Sequence, residues 1–271
     1  MPHASEVCEA AARTAGRILR EMLGKITVRH KKNPFDLLTE ADLAAQRAIE
    51  EIVLGAFPEH QFIGEEGCSG GDSEHRWFVD PLDGTTNFVH GVPLFTTSIA
   101  LAKGEELLCG VIYNPVTEEF YSAERGKGAF LNGKRIRTSS VQRLCESLVA
   151  VNFPTQTTSD SPDLVTFLKA IPVVQAIRRT GSMALNLAFV AVGRFDTTWG
   201  FTPHPWDVAA GTLLVQEAGG IVTHPDGSLF RLDDPASICA TASPVLHDVA
   251  LQLLSPTHSS SAKALCRNIG P

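Results

Sequence analysis

Length, composition and charge restrict what this chain can be. Its 271 residues suffice for one large domain or two closely packed halves, and 44% hydrophobic with 20% charged residues is ordinary for a globular protein. The formal net charge of −7 argues against bare nucleic acid or an anionic membrane as the main ligand, and a bound anion would need cations beside it.

The cysteines and the N-terminus indicate where the protein works. Six cysteines are scattered along the chain without CxxC or zinc-like spacing, which is typical of reduced thiols. The N-terminus has no signal-peptide core, and no run reaches the ~18 apolar residues of a membrane span. We therefore expect a cytoplasmic protein that binds neither membrane nor nucleic acid.

The sequence pattern in the first quarter of the chain predicts two helices. Apolar residues at helical spacing over 5–23 predict the first, and a second is predicted from Thr39 to Ala56, where Pro58 stops it. The basic segment 29–34 between them is interpreted as a solvated turn, with a phosphate-binding arm as the alternative.

Residues 95–138 predict an antiparallel sheet, because short β-rich runs alternate with Gly, Asn and Pro. The predicted strands are Thr96–Ala102, Leu107–Tyr113 and Glu119–Ala123. Asn132-Gly133 predicts a tight turn.

After Ser139 strands and helices alternate. Strands are predicted at Leu148–Asn152, Val173–Ile177, Ile221–Thr223 and Ile238–Thr241, and helices at Asp163–Ala170, 182–192, Pro205–Ala218 and 244–254. The pattern predicts an α+β or layered α/β protein with halves 1–140 and 141–254. Residues 255–271, rich in Ser, Thr and Pro, are expected to form a flexible tail.

Four acidic segments are candidates for the chemistry: Asp36–Asp42, Ile63–Gly67, Trp77–Asn87 and Pro205–Gly211. In the third, an apolar strand runs into Asp80 and Asp83, followed by Gly84-Thr85-Thr86-Asn87. Carboxylates that end a buried strand are costly without a positive partner, and backbone N–H groups at the following helix start suit phosphate. Clustered carboxylates without matched bases suit Mg²⁺. The segments therefore point to metal-assisted phosphate chemistry.

Each segment also has a purely structural interpretation. Thr39 and Asp42 fit a helix capping box, a role compatible with catalysis, and Glu65-Glu66 fits a solvated turn. Asp207 fits a helix-start acid. Residues 80–84 fit an Asp/Pro/Gly turn, but a turn requires neither the preceding apolar strand nor the following Thr85-Thr86-Asn87.

Taken together, the segments resemble the inositol monophosphatase family of Mg²⁺-dependent, lithium-sensitive phosphatases over residues 5–254. The resemblance rests on Asp-x-x-Thr-x-x-Asp at 36–42, Gly-Glu-Glu at 64–66, Asp-Pro-Leu-Asp-Gly-Thr-Thr-Asn at 80–87 and Trp-Asp-Val-Ala-Ala-Gly at 206–211. It implies a layered α-β-α-β-α sandwich of the sugar-phosphatase type and a homodimer.

The resemblance also implies roles for individual residues. Glu65, Asp80 and the Leu82 carbonyl would hold one Mg²⁺, and Asp80, Asp83 and Asp207 a second. Glu65, counted among the catalytic residues, would help to hold a third, weaker ion, and Mn²⁺ is an alternative to Mg²⁺.

The family's catalytic and phosphate-binding groups also have counterparts. Thr85, hydrogen-bonded to Asp42, would orient and deprotonate the attacking water, while the N–H groups of Gly84 and Thr85 would bind the phosphate.

The substrate side departs from the family pattern. Gly181, Ser182 and Met183 match the segment that borders the substrate ring, together with Asp83 and Asp207, but Met183 replaces a smaller residue. A glutamate that binds ring hydroxyls in the family would fall at Gly200. Inositol 1-phosphate is therefore one candidate beside fructose 1,6-bisphosphate, 3′-phosphoadenosine 5′-phosphate, NADP and histidinol phosphate.

Two other classes remain as alternatives. A haloacid-dehalogenase-type phosphatase has its strand-end aspartates two apart, whereas Asp80 and Asp83 are three apart with Leu82 between them, which disfavours that class. A non-catalytic regulatory protein could share the fold, but every expected metal ligand is present, which favours an enzyme.

Overall fold

The computed structural model describes residues 3–25, 28–30, 35–154 and 156–255, with only the backbone of 28–30. The helices within these ranges are α1 (Ala4–Met22), α2 (Glu40–Ala56), α3 (Thr85–Val89), α4 (Pro162–Ala170), α5 (Met183–Ala191), α6 (Pro205–Glu217) and α7 (Pro244–Leu254). None of them combines the length and apolar character that a membrane span requires.

The strands form two main sheets and a short ribbon. The ribbon pairs β1 (Val28–His30) with β2 (Leu37–Thr39). The larger sheet contains β3 (Gln61–Gly64), β4 (Gly67–Gly70), β5 (His75–Asp83), β6 (Thr96–Lys103), β7 (Glu106–Asn114), β8 (Glu119–Glu124), β9 (Gly128–Leu131) and β10 (Lys134–Arg135). Its spatial order is β10-β9-β8-β7-β6-β5-β3-β4, and neighbours are antiparallel except for the parallel pair β3 and β5.

The smaller sheet contains β11 (Leu148–Val151), β12 (Ala176–Arg178), β13 (Thr197–Phe201), β14 (Ile221–Thr223) and β15 (Ser237–Thr241). Its order is β12-β11-β13-β15-β14, with β11 parallel to both β12 and β13. Because parallel strands end at one edge, the carboxyl ends of these three strands lie together.

Helices and sheets alternate in five layers. Helices α1 and α2 cover one face of the larger sheet, and α5 and α6 lie between that sheet and the smaller one, whose outer face packs against α4 and α7. The alternation of strand side chains produces this arrangement: in β5, Trp77 and Val79 face α1 and α2, whereas Phe78 faces α5 and α6. The predicted α-β-α-β-α sandwich is confirmed.

Most predicted helices are confirmed to within one or two residues. Thr39 caps α2 through its hydroxyl, and Asp42 completes the capping box. The Asn132-Gly133 turn joins β9 to β10, with φ values of 49° and 75°. The predicted division near residue 140 falls between the last strand of the larger sheet and the first of the smaller, and stays a prediction.

Several elements differ from expectation. The predicted strand at Val173–Ile177 is Ala176–Arg178, because Val173 and Val174 donate to the Ala170 carbonyl in the turn that ends α4. The segment 29–34, interpreted as a solvated turn, begins within strand β1, and residues 31–34 lie outside the described residues. Residues 256–271 of the predicted tail 255–271 also lie outside them. Strand β13 was not predicted, since its Thr-Thr-Trp-Gly sequence lacks an apolar alternation.

Candidate active site

Asp80 and Asp83 lie where β5 leaves its regular pairing with β6. Asp80 pairs with Ser98 and Asp83 with Thr96, so β5 has one residue more than its partner over this stretch. Pro81, which has no N–H to donate, lies in this bulge, and its carbonyl accepts the Thr97 hydroxyl at 3.0 Å. A β-bulge turns side chains out of the regular alternation, and here it brings both aspartates to the same site.

Gly84 turns the chain from β5 into α3. Its φ of 94° lies in the left-handed region, and a Cβ there would lie 2.8 Å from the Leu94 carbonyl oxygen. Only glycine fits this position without strain. The turn places Thr85 in the first turn of a helix, directly after Asp83.

The Thr85 hydroxyl joins this turn to α2. Its Oγ1 lies 3.2 Å from Asp42 Oδ1 and 3.1 Å from the Leu82 carbonyl oxygen. The second Asp42 oxygen accepts the Thr39 N–H at 2.7 Å and the Thr39 hydroxyl at 2.5 Å, and Asp42 is fully buried. Both carboxylate oxygens of Asp42 are therefore hydrogen-bonded, one to the helix cap and one to Thr85.

Asp80 is at the centre of a group of carboxylates. Burial raises its pKa well above the usual range, and the nearby carboxylates of Glu65, Asp83 and Asp207 raise the pKa further. Burial also raises the pKa of Asp83 to about 6, although hydrogen bonds from Ser182 and the backbone partly oppose this. The structure thus brings together the four predicted metal-binding carboxylates.

Asp83 also binds the start of α5. One of its oxygens accepts the Ser182 hydroxyl and the Ala184 N–H, each at 2.6 Å, and the other accepts the Met183 N–H at 3.3 Å. Asp207 plays a similar part at α6, where its carboxylate accepts the His204 N–H at 2.7 Å. Helix N-termini stabilise anions, so these contacts partly offset the repulsion between the carboxylates.

The donor groups fit hard divalent cations. Neither Asp80 nor Asp83 has an ion-pair partner among the described side chains. A buried carboxylate facing three others is unfavourable unless it is protonated or neutralised by a cation. Within the described ranges, no group of three or more His, Cys, Asp or Glu side chains has an arrangement that could by itself hold a metal ion. Oxygen donors of this kind suit Mg²⁺.

Gln46 holds the turn that carries Glu65, a role that sequence reasoning missed. Its side-chain oxygen accepts the Glu66 N–H at 2.9 Å, and its amide nitrogen lies 3.4 Å from the Gly67 carbonyl oxygen. Gln46 follows Asp42 by four residues on α2, so both occupy the same helix face. That four-residue spacing was the signal in the sequence that could have placed Gln46 beside Asp42.

Asn87 is a second residue whose role was missed. Its side-chain nitrogen donates to the Leu94 carbonyl at 2.6 Å and to the Thr180 carbonyl at 2.7 Å. Gly181, predicted to bind substrate, has a φ of 81°, and a Cβ there would lie 3.0 Å from this nitrogen. Asn87 thus fixes the segment that leads to Ser182 and α5.

Gly200 and Met183, the two departures from the family pattern, are neighbours. A Cβ at Gly200 would lie 3.2 Å from Met183 Cε. The Met183 side chain is buried in the core, so only its N–H is directed at Asp83. The thioether therefore fills the space beneath Gly200.

The chain is similar in sequence to known proteins over most of its length. The model of the inositol monophosphatase family matches residues 3–259. Inositol-1-monophosphatase of Rhizobium meliloti is 43% identical over 211 residues, which are 77% of this chain and 79% of that protein. A fructose-1,6-bisphosphatase/inositol-1-monophosphatase of Aquifex aeolicus is 37% identical over 252 residues, 92% and 94% of the two chains.

The solved structures agree as well. The crystal structure of extragenic suppressor protein suhB from Bartonella henselae superposes with a TM-score of 0.87 at 38% identity, covering 93% of this chain and 98% of that one. Sequence and fold therefore agree, and the chain belongs to the inositol monophosphatase family of phosphomonoester hydrolases.

Proposed function

We propose that the protein is a Mg²⁺-dependent phosphatase that cleaves inositol 1-phosphate or a related phosphomonoester by in-line attack of water. The observation that carries the proposal is the position of Thr85, whose hydroxyl contacts Asp42 and the Leu82 carbonyl at the edge of the carboxylate group. A hydroxyl that donates to a buried carboxylate has its lone pairs free to accept a proton from water.

Mg²⁺ would be held by Glu65, Asp80, Asp83, Asp207 and the Leu82 carbonyl, with two to three ions in all and Mn²⁺ as the alternative. When bound, the metal ions supply positive charge to the phosphoryl oxygens and lower the pKa of water. The protein would hold the ligands of these ions in place. Asp83 accepts an N–H from the first turn of α5, and Asp207 accepts one at the start of α6.

Thr85 and Asp42 would act on the nucleophile. Thr85 Oγ1 would accept a hydrogen bond from the water while donating to Asp42, whose other oxygen is held by the helix cap. The N–H groups of Gly84 and Thr85 open α3 beside this hydroxyl and would bind phosphate oxygens. The hydroxyl that would accept the proton and the N–H groups that would bind the phosphate therefore belong to consecutive residues, Gly84 and Thr85.

The proposed substrate-contacting groups are Asp83, Asp207 and the segment Gly181–Met183. A related substrate is the second candidate, supported by the Aquifex relative's name, which includes fructose-1,6-bisphosphatase. The cytoplasm stays the proposed compartment, and the five cysteines in the described part of the chain are free thiols. A homodimer stays a prediction from the family resemblance.

The direct test is phosphate release from a panel of phosphomonoesters in Mg²⁺ and in EDTA. The panel contains inositol 1-phosphate, fructose 1,6-bisphosphate, 3′-phosphoadenosine 5′-phosphate, NADP, histidinol phosphate and glycerol 2-phosphate. We expect release that EDTA abolishes and added Mg²⁺ restores, with inositol 1-phosphate among the good substrates. No Mg²⁺-dependent release from any compound would contradict the proposal and favour a non-catalytic binding role.

Replacing Thr85 tests the water-orienting hydroxyl. Thr85→Ala should lower kcat by about 10²–10⁴-fold, because general-base assistance is typically worth that much. Thr85→Ser keeps a hydroxyl at the same position and is the matched control, expected to retain most of the activity. Equal kcat values for the two variants would show that the hydroxyl does not take part.

Replacing Asp83 separates metal binding from folding. Asp83→Asn should lower turnover by at least about 100-fold, because it removes a charged metal ligand. Its amide oxygen can still accept the Ser182 hydroxyl and the Ala184 N–H, and only the longer contact to the Met183 N–H is lost, so Tm should change by no more than about 4 °C, the shift that ~1 kcal/mol gives in a protein of this size.

Asp72→Asn, at an exposed position, is the control for the loss of one charge. Full activity of Asp83→Asn, measured as Mg²⁺-dependent phosphate release, would rule out a ligand role for Asp83.

A further inference from the structure

Helix α2 contacts two parts of the candidate active site through polar side chains. Asp42, Gln46 and Glu50 follow one another at intervals of four residues and therefore lie along one face of the helix. Asp42 contacts the Thr85 hydroxyl. Gln46 and Glu50 contact the hairpin of β3 and β4, which carries Glu65 in its turn. One helix face thus links the turn before α3 to the hairpin.

The backbone of Glu65 is held from two sides. Its own N–H donates to the Val79 carbonyl of β5 at 3.0 Å. The next N–H, that of Glu66, donates to the Gln46 side-chain oxygen at 2.9 Å. The two peptide groups that flank the Glu65 Cα atom are therefore held by different elements, one by β5 and the other by α2. The position of Glu65 relative to Asp80 on β5 thus depends on Gln46.

The hairpin allows a very close approach of the Gln46 amide. Gly64 has no side chain, and a Cβ there would lie 2.5 Å from Gln46 Oε1. Gln46 is buried, and its amide nitrogen lies 3.4 Å from the carbonyl oxygen of Gly67, the residue that pairs with Gly64. A buried amide is costly unless its polar atoms have partners, and here both atoms reach the same turn. The amide therefore joins α2 to the turn.

Glu50 makes a second contact one helical turn further along α2. Its carboxylate accepts a hydrogen bond from the Ser69 hydroxyl on β4. Strand β4 is at the end of the strand order of the larger sheet, next to β3. An edge strand is paired on one side, so side-chain contacts from a neighbouring helix add to what holds it in place. The hairpin is thus attached to α2 at its turn and along β4.

We propose that Gln46 is a positioning residue that sets the affinity of the site for Mg²⁺ by holding the Glu65 turn against α2. This inference rests on the proposed metal-dependent function. Gln46 would not touch the ion and would act through Glu65. A ligand whose backbone is already in place binds an ion more tightly than one that must be ordered on binding, because the ordering costs free energy.

The test is calorimetric titration of the metal-free protein with Mg²⁺ at pH 8, together with the Tm of the metal-free protein. Gln46→Leu removes both polar atoms at similar size. It should weaken Mg²⁺ binding by about tenfold to a hundredfold, the usual cost of losing a group that holds a metal ligand. Gln46→Glu keeps an oxygen that can accept the Glu66 N–H, so it should bind Mg²⁺ no more than about threefold more weakly than the wild type.

Two further variants complete the test. Gln252→Leu makes the same chemical change at an exposed position of α7, on the outer face of the smaller sheet, and should leave Mg²⁺ binding unchanged. Ser69→Ala removes the contact between β4 and Glu50, and should weaken Mg²⁺ binding by less than Gln46→Leu does. If Gln46→Leu does not fold, unchanged Mg²⁺ binding by Ser69→Ala would overturn the proposal.

Other results would also overturn the positioning role. A Gln46→Leu protein whose Mg²⁺ affinity is within about threefold of the wild type would show, whatever its Tm, that Gln46 serves folding alone. Equal weakening in Gln46→Leu and Gln46→Glu would show that the side-chain oxygen does not hold the turn, and equal weakening in Gln252→Leu would show a general effect. Wild-type protein that binds no Mg²⁺ would instead contradict the proposed metal-dependent function itself.

Discussion

The structure depends on the burial of Asp80 against three other carboxylates. Removing a charged carboxylate from water is costly, and placing it near like charges adds to that cost, which is why its pKa is raised so far. Such an arrangement is stable only if the surrounding fold or a bound cation offsets the repulsion between the carboxylates. Divalent cations suit this group, because every one of the carboxylates attracts them.

The fold supports the carboxylates with helix ends. Asp42 lies in the capping box of α2, Asp83 accepts N–H groups of α5, and Asp207 accepts the N–H that precedes α6. The N-termini of four helices, including the short α3, therefore meet at the end of β5. The same partial positive charge that makes the carboxylates tolerable also suits the anionic phosphate of a substrate. In the proposed function, one arrangement would thus serve folding, metal binding and substrate binding.

The sequence predicts those parts of the site that depend on local chemistry. The capping box of Thr39 and Asp42 and the strand–turn–helix around Asp80 and Gly84 involve neighbouring residues, so their spacing is informative. Roles that depend on distant contacts were missed: Asn87 reaches across 93 positions to Thr180, and nothing in the sequence around either residue indicates it. Strand β13 was missed for a related reason: its Thr, Trp and Phe residues favour strands individually but show no apolar alternation, and the pairing with β11 and β15 is a distant contact.

The central claim is tested most directly by calorimetric titration of the metal-free protein with Mg²⁺ at pH 6 and pH 8. Because burial raises the pKa of Asp83 to about 6 and the pKa of Asp80 well above its usual range, the metal-free protein holds protons near pH 6 that the cation must displace. The account predicts Mg²⁺ binding that is tighter at pH 8, with protons released at pH 6. No Mg²⁺ binding at either pH would contradict the claim that these carboxylates form a site for divalent cations.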